Sequence, residues 1–376
     1  IKSKDLQVSP GWLDMRASFG EPGYEEKETL DSGRKAAAAG GFTAVCIAPN
    51  TFPVMDSRAG VEFFVSKNGT HPVDLYPIGA LSQGMKGDNL SEMYNMKLAG
   101  AVAFSNYKNS IENAKFMQLA LEYANGIDTT LIAFAQDEKI SGSAQVNEGE
   151  NSTRLGLKGI PHLAEELRVN RDIYLTKYTE GKLHFAGLSS AKSLEVIAKA
   201  KKDGLSITCD VSATQLVLND NCLEEFDSNY KVQPPIRIEN DRKVLINSIL
   251  NGKIDVVCSD HAPQNIENKA CEFQSASYGM IGIQTLYSLL NTKLKGKISS
   301  EVLVEKLAIN PRNILGMELP EIEVGKPANL TFFDPTIEWE YNTKNNLSKS
   351  ENSPFLGEKF TGKVVGVVNN GEVIVG

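Results

Sequence analysis

Short apolar runs, each rich in β-branched or aromatic residues, recur along the first two thirds of the chain. Runs of this length that are bounded by glycine or polar residues are typical of β-strands. Eight of them predict strands, over residues 12–16, 43–48, 73–81, 101–105, 130–135, 183–189, 205–212 and 255–260.

The segments between most of these strands have the pattern of amphipathic helices. In "SAKSLEVIAKAKKDG" the residues Leu194, Ile197 and Ala198 fall on one face, and Gly204 ends the helix. "KETLDSGRKAAAAGG" and "ENDRKVLINSILNG" start and stop in a similar way. Eight strands with helical crossovers predict an α/β protein with a closed (β/α)₈ TIM barrel over residues 11–316. The alternative is an open doubly wound sheet, but no GxGxxG turn follows the first strand.

The pattern changes after about Gly316. The stretches "IEVGKPANLTFFDPTIEWEY" and "GKVVGVVNNGEVIVG" are strand-rich, and a polar loop separates them. Asn370-Gly371 is a typical two-residue hairpin turn. Residues 317–376 are therefore expected to form a small β-domain appended to the barrel.

Composition and charge exclude several classes of protein. The 376 residues carry a net charge of −8 with no dense basic stripe, so nucleic acid is not expected as a partner. No apolar run is long enough for a transmembrane helix, so no membrane association is expected. The five cysteines include no CxxC pair, which favours reduced thiols in a cytoplasmic protein.

Histidine is scarce for a metal-dependent hydrolase. The chain has only His71, His162, His184 and His261, with no HxH pair and no HExxH motif. This inventory is poor for a histidine-rich zinc centre. A GxSxG elbow and a P-loop are also absent from the sequence.

Several segments, in order along nearly the whole chain, resemble dihydroorotases of the type found with aspartate carbamoyltransferase, in the amidohydrolase superfamily. They include "PGWLDMR", "GIPHLAEELRVNRDIYL", "LHFAGLSSAKSLEVI", "KVQPPIR", "DHAP", "NPRNILG" and "VGKPANLTFFDP". The resemblance implies a β-sandwich built from residues 1–10 plus 317–376, and we expect either that an N-terminal part of it is missing from this chain or that the sandwich is reduced. It also implies a role in pyrimidine biosynthesis, where zinc-dependent members interconvert carbamoyl aspartate and dihydroorotate.

The resemblance also locates the family's metal ligands, and most of them are replaced here. The two histidines of the first strand correspond to Arg16 and Ser18, the bridging acid to Tyr107, and two further histidines to Phe134 and Gly187. Asp260 alone keeps the family's ligand type, and it is the one candidate catalytic residue. We therefore expect no bound metal and no cofactor. Among the family's substrate-binding positions, Asn50 is kept, whereas Gln233 and Gln264 replace other residues.

Two structural expectations follow from these replacements. Tyr107 and Phe134 are bulky enough to fill the space of a metal cluster, and tightly packed interiors disfavour voids. Arg16 and Asp260 lie on strands that adjoin in a closed barrel, and a buried acid without a partner is unfavourable. An ion pair between Arg16 and Asp260 is therefore predicted.

Three functions remain open from the sequence. The first is a catalytically inactive, metal-free homologue, expected to be a homodimer, that acts as a structural or regulatory partner of aspartate carbamoyltransferase. The second is an active dihydroorotase, or another cyclic-amide hydrolase, with a non-standard site that uses Asp260. The third is a module that binds a pyrimidine precursor through Asn50 and the barrel mouth.

Overall fold

The computed structural model describes residues 3–376, which contain two main sheets and the helices that cover them. The strands are β1 (Gln7–Pro10), β2 (Trp12–Ala17), β3 (Phe42–Ile47), β4 (Asp74–Ala80), β5 (Ala103–Ser105), β6 (Leu131–Phe134), β7 (Val146–Asn147), β8 (Gly159–Ile160), β9 (Leu183–Ala186), β10 (Ile207–Ser212), β11 (Val256–Cys258), β12 (Leu330–Glu340), β13 (Lys359–Asn369) and β14 (Glu372–Val375).

The helices follow the strands in the alternation that the sequence predicts. They are α1 (Leu30–Ala39), α2 (Arg58–Val65), α3 (Met93–Ala99), α4 (Ala114–Gly126), α5 (Glu138–Ser141), α6 (Glu150–Leu155), α7 (His162–Thr179), α8 (Ala191–Lys202), α9 (Ala213–Val217), α10 (Glu239–Leu250), α11 (Leu286–Lys293), α12 (Ser300–Val304) and α13 (Asn310–Leu315). A π-helical turn, Glu305–Ile309, joins α12 to α13. None of the helices in the described part of the chain has the length and apolarity needed to cross a bilayer.

The larger sheet is a barrel of eight parallel strands, in the order β2-β3-β4-β5-β6-β9-β10-β11. Its ends meet just beyond β11, where the Ser18 amide donates to the His261 carbonyl at 2.8 Å and Ala17 bridges His261 in parallel. Each of the eight predicted strands is present, and the predicted α/β barrel is confirmed. All eight carboxyl ends lie at one end of the barrel, which we call the mouth.

Two short strands were not predicted. β7 and β8 pair in parallel between β6 and β9, in an excursion that also carries α5 and α6. Each strand has only two residues, so no alternating or apolar run marks them in the sequence.

The smaller sheet joins the two ends of the described chain in the antiparallel order β1-β12-β13-β14. Its last hairpin turns at Asn370 and Gly371, whose φ angles of 55° and 77° explain the Asn-Gly choice. Trp12 at the start of β2 packs against Phe333 of this sheet, with ring centroids 5.4 Å apart. The smaller sheet is therefore anchored to the barrel through buried aromatic side chains.

Candidate functional site

Arg16 lies at the centre of the barrel mouth, where it contacts two carboxylates. Its Nη2 lies 3.1 Å from Asp210 Oδ1, and its Nε lies 3.4 Å from Asp260 Oδ1. All three side chains are less than one tenth exposed. The predicted pair with Asp260 is present, and Asp210 at the end of β10 is a second partner that sequence reasoning missed.

Lys108, in the loop after β5, is a second cation in the same cluster. Its Nζ lies 3.0 Å from Asp260 Oδ2, and its side chain is 12% exposed. Asp260 therefore has one cation on each oxygen. The four groups, Arg16, Lys108, Asp210 and Asp260, form what we call the mouth cluster, and their formal charges cancel.

Gly187 makes room for the Arg16 guanidinium. A Cβ atom added at this glycine would lie 2.1 Å from Arg16 Nη1 and 3.1 Å from its Cζ. The resemblance assigns a metal-binding histidine to this position, so the guanidinium takes up space beside the backbone from which that side chain would project. Gly187 also has a φ of +69°, a conformation that other residues adopt only with strain.

Arg16 is not the only group that keeps Asp210 ionised. His184 Nε2 lies 3.0 Å from its Oδ2, and the Gly187 amide donates to its Oδ1 at 2.8 Å. Burial would raise the pKa of Asp210, but the charge of Arg16 and the hydrogen bonds from His184 and Gly187 outweigh it and hold the pKa at about 2. Since His184 Nδ1 also contacts Thr208 Oγ1 at 2.8 Å, both nitrogens of this buried ring are occupied.

The charges of this cluster also set the ionisation of Arg16 and Lys108. Burial would lower the pKa of Arg16, but Asp210 and Asp260 raise it well above its usual value. Burial lowers the pKa of Lys108, an effect that Asp260 opposes and Arg16 reinforces. Arg16 is thus a permanent cation, whereas the Lys108 ammonium loses its proton more readily than the Arg16 guanidinium does.

Cys258 is not an activated nucleophile, although it touches the cluster. Its Sγ lies 3.0 Å from Arg16 Nη2 and 3.3 Å from Asp210 Oδ1. Burial raises its pKa far above the usual thiol value, despite the opposing charge of Arg16. It therefore remains a neutral thiol.

Tyr107 and Phe134 lie where the sequence analysis expects space-filling residues. Both line an internal cavity below the mouth, which has a volume of only about 20 Å³, room for about one water molecule. Tyr107 adopts a φ of 53° in the turn after β5, and the Lys108 ammonium lies 5.4 Å from its ring centroid. The interior of the barrel is therefore nearly filled by side chains.

Outside the mouth cluster lies an open cleft of about 390 Å³. It is lined by five of the predicted residues, Ser18, Asn50, Tyr107, Gln233 and Gln264. Ser18 and Asn50 are hydrogen-bonded to each other, with Asn50 Nδ2 3.0 Å from Ser18 Oγ. Gln264 is fixed by donating its Nε2 to the Tyr278 carbonyl at 2.9 Å.

The charged residues in the lining of this cleft are both lysines, Lys27 and Lys108. No carboxylate from residues 3–376 lines it. The cleft therefore combines positive charge with amide and hydroxyl groups, a composition that suits a small anion better than a cation.

The residues at the mouth do not fit the zinc ions of active family members. Among the residues that the structure describes, no group of three or more histidine, cysteine or acidic side chains could hold a metal ion. Asp210 and Asp260 are the two acids of the mouth cluster, and the permanent charge of Arg16 lies between them. A divalent cation would have to displace that charge.

The fold defines the class of protein. An L-hydantoinase (dihydropyrimidinase) from Arthrobacter aurescens superposes with a TM-score of 0.86 at 22% identity, over 98% of this chain and 85% of that one. A dihydropyrimidinase from Brevibacillus agri NCHU1002 gives a TM-score of 0.81 at 21% identity, over 99% and 85% of the two chains. At such identities the likeness concerns the fold alone, which is a barrel of eight parallel strands with a smaller appended sheet.

Sequence comparison assigns the family. A family model described as dihydro-orotase-like matches residues 6–193. A dihydroorotase from Geotalea daltonii is 39% identical over 376 residues, covering all of this chain and 88% of the relative. A dihydroorotase from Ruminiclostridium cellulolyticum is 39% identical over 378 residues, with coverage of 100% and 88%. The chain belongs to the dihydro-orotase-like family, as its motifs predict.

Proposed function

We propose that this chain is a dihydroorotase-family protein of pyrimidine biosynthesis that has lost the metal-assisted reaction and acts as a structural or regulatory partner of aspartate carbamoyltransferase. One observation carries the loss of activity. The Arg16 guanidinium, admitted by Gly187, is paired with both Asp210 and Asp260 at the place where the family's metal ligands should converge.

The remaining acids and bases of the mouth are poorly suited to replace a metal. A general base must accept a proton at neutral pH, and a carboxylate whose pKa is about 2 is a weak one. Asp260 would have to break an ion pair with Arg16 or Lys108 before it could accept a proton. These contacts favour a stabilising role for both acids.

Metal content and turnover test the loss of activity together. Protein purified without chelators should hold no stoichiometric zinc, and it should interconvert dihydroorotate and carbamoyl aspartate no faster than its Asp260→Ala variant. Asp128→Ala is the matched control, because Asp128 pairs with Lys182 on the surface, far from the mouth cluster in the fold. Stoichiometric zinc, with turnover that Asp260→Ala abolishes and Asp128→Ala preserves, would overturn the proposal.

The same experiment decides the first alternative, an active dihydroorotase or other cyclic-amide hydrolase with a non-standard site. Identity of 39% to curated dihydroorotases over the full chain favours that alternative. In that case the reaction has to use the mouth cluster itself, and Arg16→Met should abolish turnover along with Asp260→Ala.

The partner in this proposal is aspartate carbamoyltransferase, because dihydroorotases of the type that the sequence resembles occur with that enzyme. Co-expression of the two chains followed by size-exclusion chromatography tests the assembly. A shared peak of defined stoichiometry supports it, whereas two independent peaks would exclude a stable complex.

A second candidate function is the binding of a pyrimidine precursor without turnover. The open cleft favours it, because Lys27, Lys108 and Asn50 line a space without carboxylates. Carbamoyl aspartate and dihydroorotate are both anions, and either at 100 times its dissociation constant should stabilise the fold by about 2.7 kcal/mol. A thermal unfolding midpoint unchanged by both compounds would remove this candidate.

A further inference from the structure

A larger cavity adjoins the open cleft, and Gln264 lines both of them. Its volume is about 560 Å³, against about 390 Å³ for the cleft. Three segments, residues 227–229, 264–270 and 349–352, form its walls together with Glu26. We call it the outer cavity. Its volume lies within the range of small-molecule binding sites.

Hydrogen bonds between the three segments hold the walls of the outer cavity in place. Asn352 donates its Nδ2 to the Ala262 carbonyl at 3.1 Å, and its Oδ1 accepts the Gln264 amide at 3.1 Å. The Ser228 hydroxyl donates to the Lys269 carbonyl at 2.5 Å. The cavity is therefore preformed, as ligand sites usually are.

Five charged side chains of both signs line the outer cavity. The acids are Glu26, Asp227 and Glu351, and the cations are Lys269 and Lys349. None of the five forms an ion pair with any residue from 3 to 376. Three carboxylates and two ammonium groups leave a formal charge of −1. The cleft suits an anion, whereas the outer cavity offers partners to an anionic and a cationic group at once.

Lys269 has a buried ammonium group that forms no ion pair with a carboxylate of the described chain. The residue is 5% exposed, and its Nζ donates to the carbonyls of Ser277 and Gly279, both at 3.0 Å. An ammonium group has three donors, so one of them remains for a further acceptor. Burial of this charge lowers the pKa of Lys269 to about 8. A carboxylate bound beside Lys269 would supply both an acceptor and a counter-charge.

Two amide oxygens in the same wall lack a donor. Asn265 Oδ1 and Gln264 Oε1 are both buried, and neither has a hydrogen-bond partner in the part of the chain that the structure describes. Buried acceptors without a donor are rare, because they lose the hydrogen bonds that water would give. The Asn265 side chain does not cap the short helical turn Ile266–Asn268 that follows it. It can therefore rotate towards the N–H groups of a ligand.

We propose that the outer cavity binds a small zwitterion, a molecule that carries both a carboxylate and cationic nitrogen groups, such as a basic amino acid. The carboxylate pairs with Lys269. The cationic groups pair with Asp227 and Glu351, and their N–H donors reach Asn265. The formal charge of −1 in the lining favours a ligand whose net charge is positive. This site goes beyond the proposed function, since neither the loss of the metal nor assembly with a partner requires it.

Isothermal titration calorimetry of the full chain with L-arginine and with L-lysine tests the inference. At least one of them should bind saturably, with one site per chain. The matching amine without a carboxylate, agmatine or cadaverine, should bind about tenfold more weakly or worse, because it cannot pair with Lys269. An absence of saturable binding by both amino acids would overturn the inference, and so would an amine that binds as tightly as its amino acid.

Two substitutions test whether the ligand lies in the outer cavity. Glu351→Gln should weaken binding about tenfold, because it removes a counter-charge for the cationic group. Glu195→Gln is the matched control, since Glu195 is exposed on α8 outside the cavity, and it should leave the affinity unchanged.

Asn265→Leu should also weaken binding, while the free energy of unfolding changes little, because the Asn265 oxygen has no hydrogen bond to lose. Circular dichroism checks that each variant is folded. Affinities of Glu351→Gln and Asn265→Leu equal to that of the wild type would place the ligand elsewhere and overturn the inference.

Discussion

Two buried arginines, at opposite ends of the barrel, are held in different ways. Arg16 at the mouth contacts the carboxylates of Asp210 and Asp260. Arg312 at the amino end of β2 donates Nη1 to the carbonyls of Gly11 and Ala308, at 2.6 and 2.9 Å. Within residues 3–376 no carboxylate forms an ion pair with Arg312.

The different partners move the two guanidinium pKa values in opposite directions. Burial lowers the pKa of Arg312 to about 10, and the charges that oppose this effect are small. Burial acts on Arg16 in the same direction, but the two carboxylates reverse it and raise the pKa well above its usual value. Arg16 thus neutralises the two acids at the mouth, whereas Arg312, at the opposite end of the barrel, links two backbone segments.

The largest expected effect comes from removing the guanidinium at the mouth. Arg16→Met leaves Asp210 without its main counter-charge and Asp260 with Lys108 alone, and breaking a buried ion pair in this way costs about 3–5 kcal/mol. Urea unfolding at neutral pH measures the loss. Arg58→Met is the control, since Arg58 pairs with Glu62 on the surface, and should change the free energy of unfolding by less than about 0.5 kcal/mol. Equal stability of the two variants would mean that Arg16 does not neutralise the acids.

A methyl group at Gly187 should have the next largest effect. Gly187→Ala adds a Cβ at 2.1 Å from Arg16 Nη1, and the guanidinium can move only by lengthening its ion pairs. Gly156→Ala is a close control, because Gly156 has a similar φ of +67° with open space around it. Gly156→Ala should cost about 1 kcal/mol from backbone strain alone, and Gly187→Ala about 1–3 kcal/mol more from the clash.

A double-mutant cycle separates that clash from strain. In the Arg16→Ala background the total loss of stability caused by Gly187→Ala should fall to that caused by Gly156→Ala, since the atoms that clash with the added methyl group are gone. An undiminished cost in that background would show that Gly187 serves the backbone only, and not the placement of Arg16.

The pH dependence of Asp210 gives an intermediate effect. A carboxylate whose pKa falls from 3.8 to about 2 on folding stabilises the protein by roughly 2–3 kcal/mol. That contribution is complete above about pH 5 and is lost as the pH falls towards 2, because the unfolded chain takes up the proton first. The difference in unfolding free energy between wild type and Asp210→Asn should therefore shrink over this window, and a constant difference would contradict the assignment.

The smallest loss of stability is expected from a substitution of Arg312, at the end of the barrel opposite the mouth. Arg312→Met leaves the Gly11 carbonyl without its donor, which costs about 1–2 kcal/mol. The loss should be the same at pH 7 and pH 3, because no carboxylate takes part, whereas the loss for Arg16→Met should diminish as Asp210 protonates. If Arg312→Met lowered the free energy of unfolding as much as Arg16→Met does, the two ends of the barrel would not differ in the way proposed.

The barrel itself was predictable, because buried parallel strands are nearly continuous apolar runs. All eight runs became strands, with ends that differ by up to three residues from those predicted. The two-residue strands β7 and β8 were missed, since so short a pairing depends on neighbours and leaves no pattern.

The mouth was predictable only in part. The pairing of Arg16 with Asp260 followed from the adjacency of the first and last strands. Asp210 was missed because β10 does not neighbour β2, and the long Arg16 side chain spans the mouth to reach it. Lys108 was missed because the turn after β5 determines where its ammonium points.

Residue types alone therefore established the family, the barrel and the replacement of most metal-binding positions, because those depend on local patterns and on which atoms a side chain offers. How the mouth is filled depended on contacts between distant segments. Arg16 and Asp210 lie on two strands and Gly187 directly follows a third. Only their convergence shows that one guanidinium occupies the space beside the glycine and neutralises both remaining acids. Close packing and burial make such contacts specific, and neither is encoded in any single stretch of the chain.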